Sequence, residues 1–134
     1  MRVVLDSCIA LKWVLREDDS PKANQFRGEF RQQLHELMAP DVFPVEVAHA
    51  VTRAERRGLA SQPALLVGNV LSTAPILYPS LQLLPRAIEL SSQFRIGVYD
   101  CLYRALAEQE DCDLLTADAR LAMVFPRVIL LEDL

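Results

Sequence analysis

The chain has 134 residues, 51% of them hydrophobic, and a mean hydropathy of +0.16. This length predicts a single domain over residues 1–134, with a core large enough to fold without disulfides. No apolar run approaches the ~20 residues of a membrane-spanning helix, and the first residues lack an export-signal pattern, so we expect a cytoplasmic protein with no membrane partner. Fourteen basic and eighteen acidic residues give a formal net charge of −4, which argues against a simple basic clamp for nucleic acid.

The first half of the chain alternates short apolar runs with helical patterns. The run over 2–5 predicts a central parallel strand that ends at Asp6. Ser20 and Pro21 form a helix-start signal, as do Asp41 and Pro44, while Gly58 is a stop signal. In order, we expect a strand over 2–5, a short helix over 9–14, a helix from 20 to 37, an extended segment over 37–42 broken by a proline, and a helix from 41 to 57.

The second half continues the alternation. The spacing of Tyr99, Leu102, Tyr103 and Leu106 predicts a helix that begins near Val98. In order, we expect a helix from 61 to 71, a strand over 76–78, a helix from 83 to 95, the helix from 98, a strand over 114–116, a short turn over 121–123 and a last strand over 128–131. Strands that alternate with helices predict an α/β fold, with a mostly parallel sheet of four to five strands covered on both faces.

Four acidic residues lie where such a sheet gathers functional groups. Asp6 ends the first strand, and Asp118 follows the strand over 114–116. Asp100 falls in the first turn of the helix before that strand, and Glu46 lies in the first turns of the helix that begins near Asp41. The carboxyl ends of parallel strands share one edge, so the topology predicts that these four acids converge there. The simpler interpretation of Asp100 and Asp118 is that each starts or caps a helix.

A cluster of carboxylates favours one kind of chemistry. The like charges repel one another and raise each other's pKa values, and a divalent cation offsets that cost. Mg²⁺ and Mn²⁺ prefer oxygen ligands, and one or two such ions can promote hydrolysis of a phosphodiester. Glu46 adds weight to this interpretation because its charge lies beside the apolar positions of its helix, where an unpaired glutamate is rare.

Cysteine and histidine provide no alternative site for a softer metal. Cys8, Cys101 and Cys112 have neither zinc-like spacing nor an even count, and we expect Cys8 and Cys101 to be small buried thiols. His35 and His49 stand alone in the sequence, and we expect a surface residue and a helix-packing residue, respectively.

Four segments, taken together, resemble the PIN-domain nucleases, and most closely their VapC-type toxins. The segments are VVLDSCIALKW, APDVFPVEVAHAV, VYDCLYRALAE and CDLLTADARL, which occur in this order across nearly the whole chain. The resemblance implies a three-layer α/β/α sandwich and an Mg²⁺- or Mn²⁺-dependent endoribonuclease. It assigns catalysis and metal binding to Asp6, Glu46, Asp100 and Asp118, with support from the hydroxyl residues Ser7 and Thr116. It also implies a homodimer that is inhibited by a cognate antitoxin protein.

An RNA substrate needs positive charge beside the acids. Arg53, Arg56 and Arg57 share one face of the helix that carries Glu46 and are candidates for contact with RNA or antitoxin; a solvated helix end explains them equally well. Two further interpretations remain open: a PIN-fold protein that is a nuclease without being a toxin, or a binding module without catalysis. A phosphotransfer domain with an acylphosphate at Asp6 is less favoured, because no second acid lies two residues on.

Overall fold

The computed structural model describes residues 1–134 and has five strands and seven helices. The strands are β1 (Arg2–Leu5), β2 (Glu36–Pro40), β3 (Ile76–Tyr78), β4 (Asp113–Thr116) and β5 (Val128–Leu130). The helices are α1 (Ser7–Leu11), α2 (Ser20–Arg31), α3 (Phe43–Arg56), α4 (Pro63–Leu71), α5 (Leu84–Phe94), α6 (Val98–Gln109) and α7 (Ala119–Val124), with 3₁₀ turns at Leu81–Leu83 and Leu131–Asp133.

All five strands are parallel and form one sheet in the order β3-β2-β1-β4-β5. The first strand is therefore the central one, and Val4 pairs with Met38 of β2 on one side and Leu114 of β4 on the other. From β1 the chain builds the sheet in one direction through β2 and β3, and it then returns to add β4 on the opposite side. The strand order reverses between β1 and β4, which is where open parallel sheets place their functional sites.

Helices cover both faces of the sheet. Val3, Val4 and Leu5 of β1 are each completely buried, and so are Leu114 and Leu115 of β4. Successive residues of a strand point to opposite faces, so complete burial of neighbours requires cover on both sides. One contiguous core of 31 buried residues results. The predicted α/β/α sandwich with a parallel sheet is confirmed.

The structure corrects three predicted boundaries. The helix predicted from 20 to 37 ends at Arg31, because Gln33 has a φ of 63°, a left-handed conformation that stops a helix. The following strand then begins at Glu36 and runs through Pro40, whose missing N–H is harmless at the last position of the strand. The turn predicted over 121–123 is part of helix α7, which Asp118 caps through its side chain.

No helix combines the length and the apolar character needed to cross a membrane.

Candidate active site

Asp6 leaves the end of the central strand and is held by three groups. Its backbone N–H donates to the carbonyl oxygen of Leu115 on β4 at 3.0 Å. Its carboxylate caps α1 by accepting from the N–H of Cys8 at 3.4 Å, and it accepts from the Thr116 hydroxyl at 2.8 Å. Only 6% of the residue is exposed, and this burial raises the pKa of the carboxyl above its ordinary value. Asp6 is therefore a fixed, poorly solvated acid.

Thr116 links the ends of β1 and β4. It is completely buried, and its Oγ1, which donates to Asp6, also accepts from the N–H of Asp118 at 3.1 Å. The Thr116 hydroxyl thus helps to position two candidate metal ligands, Asp6 and Asp118. The Cys8 sulfur takes part in the same junction by accepting from the N–H of Ala117 at 3.4 Å. Burial raises the pKa of the Cys8 thiol to about 12, so at neutral pH the thiol is uncharged.

Glu46 lies in the first turn of α3, half-buried, and accepts a hydrogen bond from the hydroxyl of Tyr103 at 2.6 Å. The pKa of Glu46 is raised to about 6, first by burial and also by the negative charges of Asp6 and Asp100, against the opposing effect of the Tyr103 hydrogen bond. The partner that the sequence required for this glutamate is therefore Tyr103. In the sequence, Tyr103 belongs to the apolar positions that predict α6, and only its spacing of three from Asp100 points to the site.

Asp100 and Asp118 share one cationic partner. The Nη2 atom of Arg120 donates to Oδ2 of Asp100 at 2.9 Å and to Oδ2 of Asp118 at 3.1 Å. Asp118 also caps α7 by accepting from the N–H of Arg120 at 2.9 Å. The pKa of Asp100 is raised, first by burial and then by the charge of Asp6, against the attraction of Arg120. Sequence analysis missed Arg120, although an arginine in the first turn of a helix opposes the helix dipole and is a signal in itself.

The four acids come from four elements and meet beside the reversal of strand order. The charge of Asp6 raises the pKa of both Glu46 and Asp100, and that of Asp118 raises the pKa of Asp6 and Asp100. No three acid, histidine or cysteine side chains are close enough to form a preformed metal cage. The donor set nevertheless fits a divalent cation that keeps waters of its own, because all four donors are carboxylates and their mutual repulsion is relieved by positive charge.

The predicted supporting residue Ser7 is buried at the start of α1, where it borders a cavity of about 650 Å³. This cavity lies between α1, α3 and the start of α6, and Glu46 forms part of its wall. Val45 and Tyr99 line it as exposed apolar side chains, and His49 lines it as an exposed imidazole. Of the four acids, Glu46 is thus the one that lines this groove, beside exposed apolar surface.

The candidate basic contacts lie on the solvent side of α3. Arg53, Arg56 and Arg57 are all exposed, at the end of the helix that carries Glu46 in its first turn. Lys12, by contrast, is buried and pairs with Glu17 and Asp19, so it is unavailable to a ligand.

The histidine predictions are wrong in both cases. His35 stacks on Phe26 and contacts Glu29, with only 11% of its side chain exposed. His49 is the exposed one and faces the groove beside Glu46. Of the cysteines, Cys101 is buried as predicted and Cys112 is also buried, whereas Cys8 is half-buried and accepts the hydrogen bond from Ala117 described above.

The chain is similar in sequence to proteins of known family. The family model described as PIN domain matches residues 3–125. Ribonuclease VapC3 of Pyrobaculum aerophilum is 30% identical over 135 residues, which cover 96% of this chain and 98% of the relative. Ribonuclease VapC1 of Mycobacterium tuberculosis is 40% identical over 95 residues, which cover 63% of this chain and 64% of the relative.

Solved structures share the fold at low sequence identity. The VapBC2 complex of Rickettsia felis, crystallised with a DNA fragment from its promoter, contains a chain with a TM-score of 0.66 and 15% identity, matched over 97% of both chains. A toxin–antitoxin complex from Klebsiella pneumoniae gives a TM-score of 0.63 at 13% identity, with 98% of this chain and 99% of that chain covered.

Proposed function

The chain belongs to the PIN-domain family, and we propose that it is an Mg²⁺- or Mn²⁺-dependent endoribonuclease acting as the toxin of a toxin–antitoxin pair. The observation that carries this proposal is the junction at which Thr116 joins Asp6 to Asp118. That junction lies where the strand order reverses, and the charge of its Asp6 raises the pKa values of Glu46 and Asp100. The relatives named VapC ribonucleases support the same activity.

Asp6, Glu46, Asp100 and Asp118 would hold the metal. When bound, a divalent ion supplies positive charge to the phosphodiester oxygens and promotes attack by water. The chain's own residues fix the ligands in advance. Thr116 orients Asp6 and, through the Asp118 amide, the start of α7, while Tyr103 orients Glu46. Such outer hydrogen bonds commonly determine how well carboxylate ligands bind a metal.

An RNA substrate is compatible with the acidic composition. Once four carboxylates are committed to a metal, equal numbers of acidic and basic residues remain. Arg53, Arg56 and Arg57 offer exposed positive charge on the helix that carries Glu46. The groove beside Glu46 adds the exposed ring of Tyr99, a surface on which an unpaired base can stack.

We further propose an antitoxin partner, a homodimer and a cytoplasmic location. Two of the structural neighbours are parts of complexes described as VapBC2 and as toxin–antitoxin. A cluster of four carboxylates that is offset by only one arginine attracts a cationic peptide segment, which gives an inhibitor a direct way to block the site.

The proposal is tested with purified protein and a mixed RNA substrate in Mg²⁺, in Mn²⁺ and in EDTA. We expect internal cleavage with either metal, none in EDTA, and recovery when metal is restored. The Asp118→Asn variant controls for a contaminating nuclease. A binding module would bind RNA without cutting it, and a nuclease without a toxin role would cut RNA but leave growth unaffected when expressed.

A further inference from the structure

Arg120 makes a contact that helix α7 does not need for its own stability. Its Nη2 atom lies 2.9 Å from a carboxylate oxygen of Asp100 and 3.1 Å from one of Asp118. The side chain is 56% exposed and reaches these acids from the first turn of the helix, where the dipole disfavours a cation. The attraction of the two acids is therefore what holds the guanidinium in this position.

No other positive charge contacts the cluster. Asp6 is held by a hydroxyl and a backbone N–H, and Glu46 by a phenol. Arg120 alone joins two of the four acids, because its Nη2 lies within hydrogen-bond distance of one carboxylate oxygen of each. A guanidinium carries one delocalised charge, so it offsets the repulsion of the cluster less well than a divalent ion.

We propose that Arg120 is the counter-cation of the metal-free site, that a divalent ion must displace it to bind Asp100 and Asp118, and that the released guanidinium then binds a phosphate of the RNA. This inference rests on the proposed function. It follows from competition, because Asp100 and Asp118, which a divalent ion would bind, are the two acids that already hold Arg120. The Arg120 side chain is 56% exposed, and an ion pair with a solvent-exposed partner is weak enough to be displaced.

The released side chain stays beside the reaction. It is tethered through α7 to Asp118, and its planar group of donors matches the oxygens of a phosphate. Arg120 therefore serves two states in turn: it lowers the repulsion among the acids before metal binds, and it supplies positive charge to the substrate afterwards.

Two measurements with opposite expected signs test this assignment. We expect Arg120→Ala to bind Mn²⁺ about three- to fivefold more tightly than the wild type, which is the effect of removing an exposed ion pair. We expect the same variant, at saturating Mn²⁺, to raise the KM for RNA about tenfold with little change in kcat, because a charge-assisted contact to phosphate is lost. Mn²⁺ binding is measured by titration calorimetry and by the loss of the free-ion electron paramagnetic resonance signal.

Arg127→Ala is the matched control. Arg127 also joins two aspartates, Asp111 and Asp113, but it lies at the opposite end of β4 from the cluster. Its removal should change neither the Mn²⁺ affinity nor the KM. Arg120→Lys keeps the charge but loses the planar donors, so it should bind Mn²⁺ with an affinity near that of the wild type yet retain a raised KM.

If Arg120→Ala binds Mn²⁺ no more tightly than the wild type does, the counter-cation role of Arg120 is wrong. An unchanged KM overturns the phosphate contact. A wild-type protein that binds no Mn²⁺ overturns the proposed function, and this inference with it. Circular dichroism of each variant confirms that the fold is intact before the binding constants are compared.

Discussion

The hydroxyl of Tyr103 donates a hydrogen bond of 2.6 Å to Oε1 of Glu46, and so joins the middle of α6 to the first turn of α3. Tyr103 is 1% exposed, and the burial of its phenol raises its pKa well above the ordinary value, so it is always a donor. A fixed donor favours the ionised carboxylate of Glu46, which burial and neighbouring acids disfavour. Tyr103 thus keeps a candidate metal ligand closer to its charged form.

The Tyr103→Phe variant tests this contact. We expect the pKa of Glu46 in the metal-free protein to rise above about 6, because the donor that lowers it is gone. We expect a loss of about 1 kcal/mol in the free energy of unfolding, the usual net value of one hydrogen bond. Carboxyl carbon chemical shifts followed through a pH titration report the pKa. An unchanged or lower pKa would show that Tyr103 contributes packing alone.

The pH dependence of stability provides a second test of Glu46. Its folded pKa of about 6 lies above the ordinary value of 4.5, so between these values the folded protein binds more protons than the unfolded chain. The contribution of Glu46 to the free energy of unfolding therefore decreases as pH rises from 4.5 through about 6. Because Glu46 is partly exposed, we expect the free energy of unfolding to fall by only about 1 kcal/mol over this pH range.

Glu46→Gln separates this effect from that of other acids. Glu108 and Glu110 have lowered pKa values, so their contribution to the free energy of unfolding grows as pH rises. This contribution is the same in the wild type and in Glu46→Gln. Urea unfolding gives the free energy of unfolding at pH 4.5 and at pH 7. Between these two pH values, this free energy should fall by about 1 kcal/mol more in the wild type than in Glu46→Gln. A difference of the opposite sign would mean that Glu46 is stabilised in its charged form.

Asp100→Asn should abolish metal-dependent cleavage of RNA while the metal-free protein becomes equally or more stable. The raised pKa of Asp100 means that burial and the charge of Asp6 outweigh the attraction of Arg120, so removal of the charge relieves repulsion. We expect a fall in kcat of more than about 100-fold, because one proposed metal ligand is lost. Thermal melts in EDTA provide the stability measurement, and a clear drop in Tm for the variant would contradict the interpretation of the cluster as repulsive.

Asp113 and Asp118 lie at opposite ends of β4 and should behave differently. Asp113 begins the strand and pairs with Arg127 at 2.9 Å, far from the cluster, whereas Asp118 follows the strand and contacts Arg120. We expect Asp118→Asn to remove nuclease activity and weaken Mn²⁺ binding. Asp113→Asn should change both by no more than a few-fold, and the free energy of unfolding by less than about 1 kcal/mol. Inactivity of Asp113→Asn instead would invalidate the site assignment.

A cognate antitoxin should inhibit through a cationic segment. We expect its bound tail to bring an arginine or lysine to Asp6, Glu46, Asp100 or Asp118, because these acids lack sufficient compensating charge. Inhibition by the isolated tail peptide should weaken as salt rises, and Asp118→Asn should bind the peptide more weakly than Asp113→Asn does. A partner that inhibits equally well at high salt and ignores both substitutions would act at another surface.

Much of the fold was accessible from the sequence because it depends on local patterns. The apolar runs of β1, β4 and β5 predicted a parallel sheet, and the positions of Asp6 and Asp118 at strand ends predicted one shared edge. These features follow from the period of side chains along a strand and from the geometry of parallel connections, which a single chain reveals. The PIN-domain motifs added the family, which the match over residues 3–125 confirms.

Tertiary structure alone decided which side chains meet. Thr116 contacts Asp6 across 110 residues of chain, and Tyr103 contacts Glu46 across 57. The role of Arg120 depends on the angle at which α7 leaves β4, and the exposure of His49 depends on which face of α3 packs inward. Periodicity assigns a residue to a face of its own element, but packing between elements determines what that face contacts. The sequence therefore determined the elements and the acids, and the packing determined the partners that hold each acid in place.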